Sequence, residues 1–241
     1  MKKRLRATVP KDVGFQGSNE DSALLLLREG RVLLLDGSSD SYAARTWVRC
    51  VRDSWRASST GLDFIGKAQE RYGRQVRRPT SWAQEGAFER GSFCTFLDIH
   101  AVPTRPTVEI RCVGDCSILF VTLDGQVRDA YPYQRAEQFN NAPLALCSDP
   151  ATLGRQQELV LRGARSFSLS RGPIPTIVLA TDALGAWLLT EDAELASERM
   201  RRLLALESPC DFHDLVMGER DAKAMRLDDA TVIVLDVGGA G

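Results

Sequence analysis

Two short apolar runs around a polar turn constrain the fold of this chain more than any other feature. Residues 24–27 are four leucines, residues 32–35 read Val-Leu-Leu-Leu, and Arg-Glu-Gly-Arg separates them. Continuous apolar runs of this length on either side of a turn predict a hairpin whose strands are buried on both faces, because a half-exposed strand would alternate apolar and polar residues.

The second apolar run ends in an acid, Asp36, which Gly37 and two serines follow. A carboxylate at the point where an apolar strand emerges is partly desolvated, and its charge is costly unless a cation pairs with it. Asp36 is therefore a candidate for the centre of a functional site. Asp and Gly are also ordinary turn residues, so the same pair is equally compatible with a simple turn.

Two further acids, Glu20 and Asp21, stand directly ahead of the first apolar run. If the hairpin pairs in register about Arg28 to Arg31, Asp21 lies beside Asp36. Carboxylates crowded in this way repel one another, and a divalent cation is the usual means of relieving that repulsion.

The composition is that of a globular chain: 241 residues, 44% hydrophobic and 26% charged. No apolar run reaches the ~18 residues that cross a bilayer, and no apolar signal core follows the basic N-terminus, so we expect a cytoplasmic protein without a membrane partner. A formal net charge of -1 gives no reason to expect nucleic acid. One local basic cluster is interpreted as a solvated helix end; it comprises Arg71, Arg74, Arg77 and Arg78.

The cysteines and histidines give little support to zinc or thiol chemistry. Six cysteines lack paired C-x-x-C spacing, and the chain has only two histidines, His100 and His213. The cysteines are interpreted as small core residues in a reducing compartment. A cysteine nucleophile with a histidine base is the less favoured alternative.

Apolar spacing predicts the remaining elements. Helices are predicted over 40–56, 60–77, 82–90, 191–206 and 211–224, with Ser39 or Asp40 capping the first and the tryptophans of 40–90 anchoring the core. Strands are predicted over 4–9, 92–102, 107–113, 117–123, 177–180 and 230–235, and residues 124–165 are interpreted as largely irregular. Acids at five strand ends, separated by strands and helical pairs, do not fit one alternating β-α repeat. We expect two stacked antiparallel sheets with helices outside.

Five acidic motifs follow one another along the chain: Asn19-Glu20-Asp21, Asp36-Gly37, Val113-Gly114-Asp115, Thr181-Asp182 and Asp228-Asp229-Ala230-Thr231-Val232. In order and spacing this series resembles the motifs of the metal-dependent type 2C (PPM) serine/threonine protein phosphatases, in a diverged bacterial-type form. The resemblance spans nearly the whole chain. It implies a single domain over 1–241 with an α+β fold, a four-layer α-β-β-α sandwich of two stacked antiparallel sheets flanked by helices.

Carried over residue by residue, the resemblance implies a centre of two Mg2+ or Mn2+ ions. Asp36 would bridge the ions, and the carbonyl of Gly37 would bind one of them. Asp182 and Asp228 would complete the other ion's ligands, so that Asp36, Asp182 and Asp228 are the implied catalytic residues. Oxygen ligands suit these hard cations.

The outer acids of the motifs also have implied roles. Glu20 and Asp21 match acids that bind through metal-coordinated water, and Asp115 matches an acid close to a third metal in bacterial members. The implied reaction is direct attack of water on phosphorus, without a phosphoenzyme. The implied substrate is a protein carrying phosphoserine or phosphothreonine, with a serine/threonine kinase as the opposing partner.

Several positions depart from the family pattern. Ser38, Ser39 and Asp40 replace a Gly-x-Gly-Gly segment, so no histidine is available there as general acid. Gln16 replaces the arginine that grips the substrate phosphate, with Arg45 as one possible substitute. Ala183 and Asp229 replace glycine and asparagine. The implied metal ligands are retained while substrate-handling groups have changed.

These departures leave a second function open, that of a pseudophosphatase acting as a binding or scaffold module. Retention of mutually repelling acids favours the enzyme. A haloacid-dehalogenase-type site is disfavoured because it needs an acid where Ser38 stands. Within 124–165, which matches the family's mobile flap, Phe139, Asn140 and Asn141 are predicted to border the cleft and contact protein substrate.

Overall fold

The computed structural model describes residues 1–12, 14, 17–58, 61–102, 106–139, 142–169 and 176–237. These ranges contain eleven strands and seven α-helices. The strands are β1 (Lys2–Val9), β2 (Ser22–Leu26), β3 (Arg31–Gly37), β4 (Phe93–Val102), β5 (Thr107–Val113), β6 (Ser117–Val121), β7 (Val127–Tyr131), β8 (Leu146–Cys147), β9 (Ala164–Ser168), β10 (Thr176–Ala180) and β11 (Ala230–Asp236). The helices are α1 (Ala44–Ala57), α2 (Asp63–Gln75), α3 (Trp82–Arg90), α4 (Leu153–Arg162), α5 (Asp182–Leu188), α6 (Ala193–Leu204) and α7 (Pro209–Asp221).

The strands form two antiparallel sheets. One sheet has the order β1-β11-β10-β6-β7, and the other has the order β2-β3-β4-β5-β9 with β8 paired to β4. The first sheet pairs β1 with β11, from opposite ends of the chain, whereas all strands of the second sheet lie between residues 22 and 168.

Alternate residues of the buried strands serve different apolar layers, which explains the continuous apolar runs. Leu33 and Leu35 of β3 pack with α1 and α2, whereas Val32 and Leu34 join the layer between the sheets. The other sheet is covered by helices in the same way, since Val232 of β11 packs with α5, α6 and α7. The predicted four-layer α-β-β-α sandwich is confirmed.

The opening hairpin forms in the predicted register. Ser22 pairs with Leu35, which sets Asp21 opposite Asp36. β3 is buried on both faces, but β2 is an edge strand and most of its residues are only half-buried. The prediction of two fully buried strands is therefore right for β3 and wrong for β2.

Two details of the helical layer were predicted wrongly. α1 begins at Ala44 with no side-chain cap, because residues 39–43 form turns ahead of it, so neither Ser39 nor Asp40 caps the helix. Trp47 and Trp55 are buried core anchors, but Trp82 at the start of α3 is 87% exposed. No helix within the described ranges combines the length and apolarity that crossing a membrane requires.

The stretch from 124 to 165 is more regular than predicted, since it contains β7, β8 and α4 and leads into β9. These elements gave a weak sequence signal because β7 is mostly exposed and α4 buries only Gln156 and Val160 fully. Phe139 is buried among apolar residues beside α5 and does not border the cleft. Asn140 and Asn141 lie outside the described residues.

The prediction of core cysteines is right for five of the six, and the predicted solvated arginines are exposed or partly exposed. Five cysteines are buried and Cys210 alone is exposed. In the basic cluster, Arg71 pairs with Asp53 at 3.4 Å and Arg74 pairs with Glu70 of the same helix.

Candidate metal centre

Four of the acids at the strand ends line one cavity of about 650 Å3. Asp36 at the end of β3, Asp115 after β5, Asp182 after β10 and Asp228 ahead of β11 all line it, together with Gly37. Four acids far apart in sequence thus converge because the two sheets present these strand ends at the same end of the sandwich.

Gly37 lets β3 approach the loop that carries Glu20. A Cβ at position 37 would lie 2.9 Å from the carbonyl oxygen of Glu20 and 3.1 Å from a methyl of Val48. The absence of a side chain at Gly37 therefore keeps the Asp36 strand end against the residues of the first acidic motif.

Gly114 orients the side chain of the next acid, Asp115. Its φ of 96° is in the left-handed region, and a Cβ there would lie 2.6 Å from the carbonyl oxygen of Leu144. Glycine has no steric cost at such a φ. The resulting tight turn between β5 and β6 directs Asp115 inward, where it is only 3% exposed.

Asp182 and Asp228 line the same cavity from the first sheet. Asp182 begins α5, and its Oδ2 accepts a hydrogen bond from Arg226 at 2.9 Å. Asp228 accepts at Oδ1 from the backbone N–H of Asp229 at 2.9 Å. Arg226 is the one ion-pair partner of these carboxylates within the described residues.

Asp21 is anchored from the other sheet. Its Oδ2 accepts from the hydroxyls of Thr181 at 3.2 Å and Thr231 at 2.7 Å. Its Oδ1 is buried and has no hydrogen-bond partner among the residues that the structure describes. Asp21 borders a smaller pocket of about 390 Å3 beside the main cavity.

Burial and mutual repulsion raise the pKa of these acids. Burial, followed by the charges of Asp21 and Asp182, raises the pKa of Asp36 well above its ordinary value. Burial also raises the pKa of Asp21 and, with Asp182 adding to it, that of Asp115 to about 7. The pKa of Asp182 is raised by burial although Arg226 opposes the shift. Apart from Arg226 at Asp182, no cation of the described residues forms an ion pair with these carboxylates.

Glu20 is held apart from the main cavity. Its Oε2 accepts from Lys11 at 2.9 Å and from Ser39 at 2.8 Å, and it borders the smaller pocket with Asp21. Asp229 fixes this loop, because its carboxylate accepts the backbone N–H groups of Lys11 at 2.7 Å and Glu20 at 2.6 Å.

Comparison with known proteins identifies the fold. No protein-family model matches the chain, and neither does any curated protein. Solved structures do match over nearly its full length. The serine/threonine phosphatase Stp1 from Staphylococcus aureus superposes with a TM-score of 0.60 at 16% identity, covering 99% of this chain and 98% of that one. The SiaA-PP2C domain of Pseudomonas aeruginosa gives a TM-score of 0.52 at 11% identity, covering 97% and 85%. The chain has the type 2C phosphatase fold.

A further similar structure, the photosystem II phosphatase PBCP, has a TM-score of 0.61 at 16% identity and covers 97% of this chain and 98% of its own. The predicted resemblance is confirmed at the level of the fold. At these identities the similarity establishes the type 2C fold.

The acids in this type 2C fold fit a divalent cation in their chemistry. They offer only oxygen ligands, burial followed by the charges of neighbouring acids raises the pKa of Asp36, and Asp21 keeps a buried oxygen without a partner in the described ranges. The side chains are spread apart, since no three His, Cys, Asp or Glu residues of the described chain are placed closely enough to hold a metal ion as they stand. Metal binding would have to draw the carboxylates together.

Sequence reasoning missed the arginines of the cavity. Arg90 from α3, Arg155 from α4 and Arg226 ahead of Asp228 all line it. Arg45, considered as a substitute for the missing phosphate-binding arginine, instead donates to the carbonyl of Gly17 and borders the smaller pocket. Gln16 lies outside the described residues. No motif of the sequence distinguished these arginines among its 31 lysines and arginines.

Proposed function

We propose that the protein is a metal-dependent phosphatase that hydrolyses phosphoserine or phosphothreonine in protein substrates. The observation that carries this proposal is the convergence of Asp36, Asp115, Asp182 and Asp228 on one cavity of a type 2C fold. Buried carboxylates with few cationic partners destabilise a fold unless they bind a cation. The names of Stp1 and PBCP as phosphatases agree with the proposed reaction class.

Asp36, the carbonyl of Gly37, Asp182 and Asp228 would hold two Mg2+ or Mn2+ ions, with Asp115 near a third. Glu20 and Asp21 would contribute through water. When bound, these ions would polarise the phosphate oxygens and lower the pKa of water enough for hydroxide to attack phosphorus. Asp21, fixed by Thr181 and Thr231, would place a carboxyl group beside Asp36.

Arg226 is the proposed phosphate-orienting residue. It lines the cavity next to Asp182, and a guanidinium can grip a phosphate through two charge-assisted hydrogen bonds. This assigns to Arg226 the positive charge that Gln16 cannot supply. A serine/threonine kinase acting on the same proteins would be the opposing partner.

Hydrolysis of a small aryl phosphate and of a phosphothreonine peptide, with Mn2+ and after metal removal, tests the proposal. Asp36→Asn and Asp182→Asn should lose at least ~100-fold in rate, the lower end of what a key electrostatic group contributes. Asp149→Asn is the matched control, because Asp149 lines the same cavity but caps a short helical turn, a role that Asn fills equally well. Equal activity in excess chelator would exclude the metal-dependent reaction.

One observation favours the alternative, a pseudophosphatase that serves as a binding or scaffold module. The guanidinium of Arg226 already neutralises Asp182 at 2.9 Å, as a structural cation in place of a metal would. Under this alternative Mn2+ would not bind and would leave the melting temperature unchanged, whereas the enzyme proposal requires a rise.

A further inference from the structure

A row of arginines on α1 faces a pocket outside the acidic cavity. Arg45, Arg49 and Arg52 all line the smaller pocket of about 390 Å3. Their spacing of four and then three residues places them on one face of the helix, over a length of ~10 Å. The sequence shows the same spacing, but only the structure shows that the row borders a concave surface between α1 and the edge of the sandwich.

Positive charge is in excess at this pocket. Arg49 forms no ion pair or hydrogen bond with any residue in the described ranges. Arg52 pairs with Asp53 at 2.9 Å, and Asp53 also serves Arg71 at 3.4 Å. Arg6 of β1 lies near Arg52 outside the pocket lining, and burial together with the repulsion from Arg52 lowers the pKa of Arg6.

The two acids of the pocket do not cancel this charge. The carboxylate of Glu20 is engaged by Lys11 at 2.9 Å. Asp21 directs one oxygen to Thr181 and Thr231, and its other oxygen is buried from solvent. The ligand-facing groups of the pocket are therefore guanidinium groups, whose planar donors match phosphate oxygens.

We propose that this pocket binds a phosphorylated residue of a protein segment, at a site that adjoins the acidic cavity and lies outside it. A dianionic phosphate matches the excess charge better than a single carboxylate does. The pocket could hold roughly a dozen waters at ~30 Å3 each, which is more than a bare phosphate fills and leaves room for the side chain that carries it. The site would retain a multiply phosphorylated partner independently of hydrolysis.

Fluorescence anisotropy with a labelled phosphoserine peptide and metal-free protein tests the proposal, since without metal the peptide is not turned over by the proposed reaction. Arg49→Gln should weaken binding about tenfold, which corresponds to ~1.4 kcal/mol. Arg49→Lys should lie between, because it keeps the charge and loses the planar donors. Arg74→Gln, an exposed helical arginine outside the pocket, is the control and should leave binding unchanged.

The outcomes separate the sources of binding. An unphosphorylated peptide should bind at least ~10-fold more weakly, and inorganic phosphate should compete only at much higher concentration than the phosphopeptide. Unchanged binding by Arg49→Gln, or an equal loss in Arg74→Gln, would overturn the site. Equal potency of inorganic phosphate would overturn the assignment to a protein segment. Arg49→Gln should retain wild-type turnover of a small aryl phosphate with Mn2+, so failure of this site and failure of the proposed catalysis give different results.

Discussion

Replacing Phe139 with alanine should destabilise the fold and leave substrate choice unchanged. The ring is only 7% exposed and packs edge-on against Tyr133, with ring centroids 5.0 Å apart. It also lies directly over α5, because a Cβ placed on Gly185 would come within 2.9 Å of it. Phe139 thus joins the segment before β8 to the helix that begins with Asp182.

The magnitude follows from this packing. Truncating a buried Phe to Ala costs about 3–5 kcal/mol, and loss of the edge-on contact with Tyr133 is part of that cost. Phe139 lies near the margin of its core cluster, so we expect about 3 kcal/mol, or roughly a 150-fold change in the folding equilibrium. Phe139→Leu should lose less than about 1.5 kcal/mol because it keeps most of the apolar volume.

Urea unfolding followed by tryptophan fluorescence measures the loss, and turnover of the small aryl phosphate and the phosphothreonine peptide is compared under native conditions. Both substrates should respond equally, within about twofold, since the ring lies in the core. A loss of stability below about 1 kcal/mol, combined with a selective loss of phosphopeptide turnover, would refute this reasoning and restore Phe139 as a substrate contact.

Three further predictions concern the acidic cavity. Mn2+ at ~100 times its dissociation constant should add about 2.7 kcal/mol of stability, measured as a rise in melting temperature that Asp36→Asn reduces. An unchanged melting temperature, together with no bound metal by elemental analysis, would contradict this prediction. The metal-free protein should lose stability as pH rises from about 4 to 8, because burial raises the pKa of Asp115 from 3.8 to about 7 and the folded state therefore favours the protonated acid. Asp115 contributes at most about 4 kcal/mol to this loss, and Asp115→Asn should flatten the dependence of stability on pH. Arg226→Gln should raise the Michaelis constant for a small phosphate about tenfold with little change in turnover, and Gln16→Arg should lower the wild-type constant by a similar factor. An unchanged Michaelis constant in both variants, with metal binding intact, would exclude a phosphate-binding role at both positions.

The sequence predicted the framework of the sandwich because its strongest signals are local. Continuous apolar runs identified β3, β10 and β11, and the short turn between the first two runs, residues 27–30, sets the register that puts Asp21 opposite Asp36. The same logic failed at β2, whose leucines look like those of β3 although β2 has a strand on one side only. Apolar composition indicates that a segment is a strand and says little about its place in the sheet.

What the sequence could not show depends on contacts between distant elements. The apolar Phe139 was placed at the cleft because it lies in the stretch that matches the family's mobile flap, whereas α5 packs over its ring. Arg226 and Asp182 are 44 residues apart, and only the meeting of β10 and β11 makes them partners. The role of Asp229 was hidden for the same reason, since its carboxylate binds the backbone of a loop 209 residues earlier.

The threonine contacts of Asp21 connect the two sheets at the acidic end of the sandwich. Asp21 precedes β2 of one sheet, while Thr181 and Thr231 belong to the end of β10 and to β11 of the other, and Thr181 also accepts the N–H of Thr231 at 2.9 Å. Asp36 and Asp182 are carried by different sheets, so the gap between them depends on the thickness of the apolar layer that holds the sheets apart. The volume of side chains such as Leu34 and Ile233 thereby sets the separation of Asp36 and Asp182, the pair proposed to hold the metal ions.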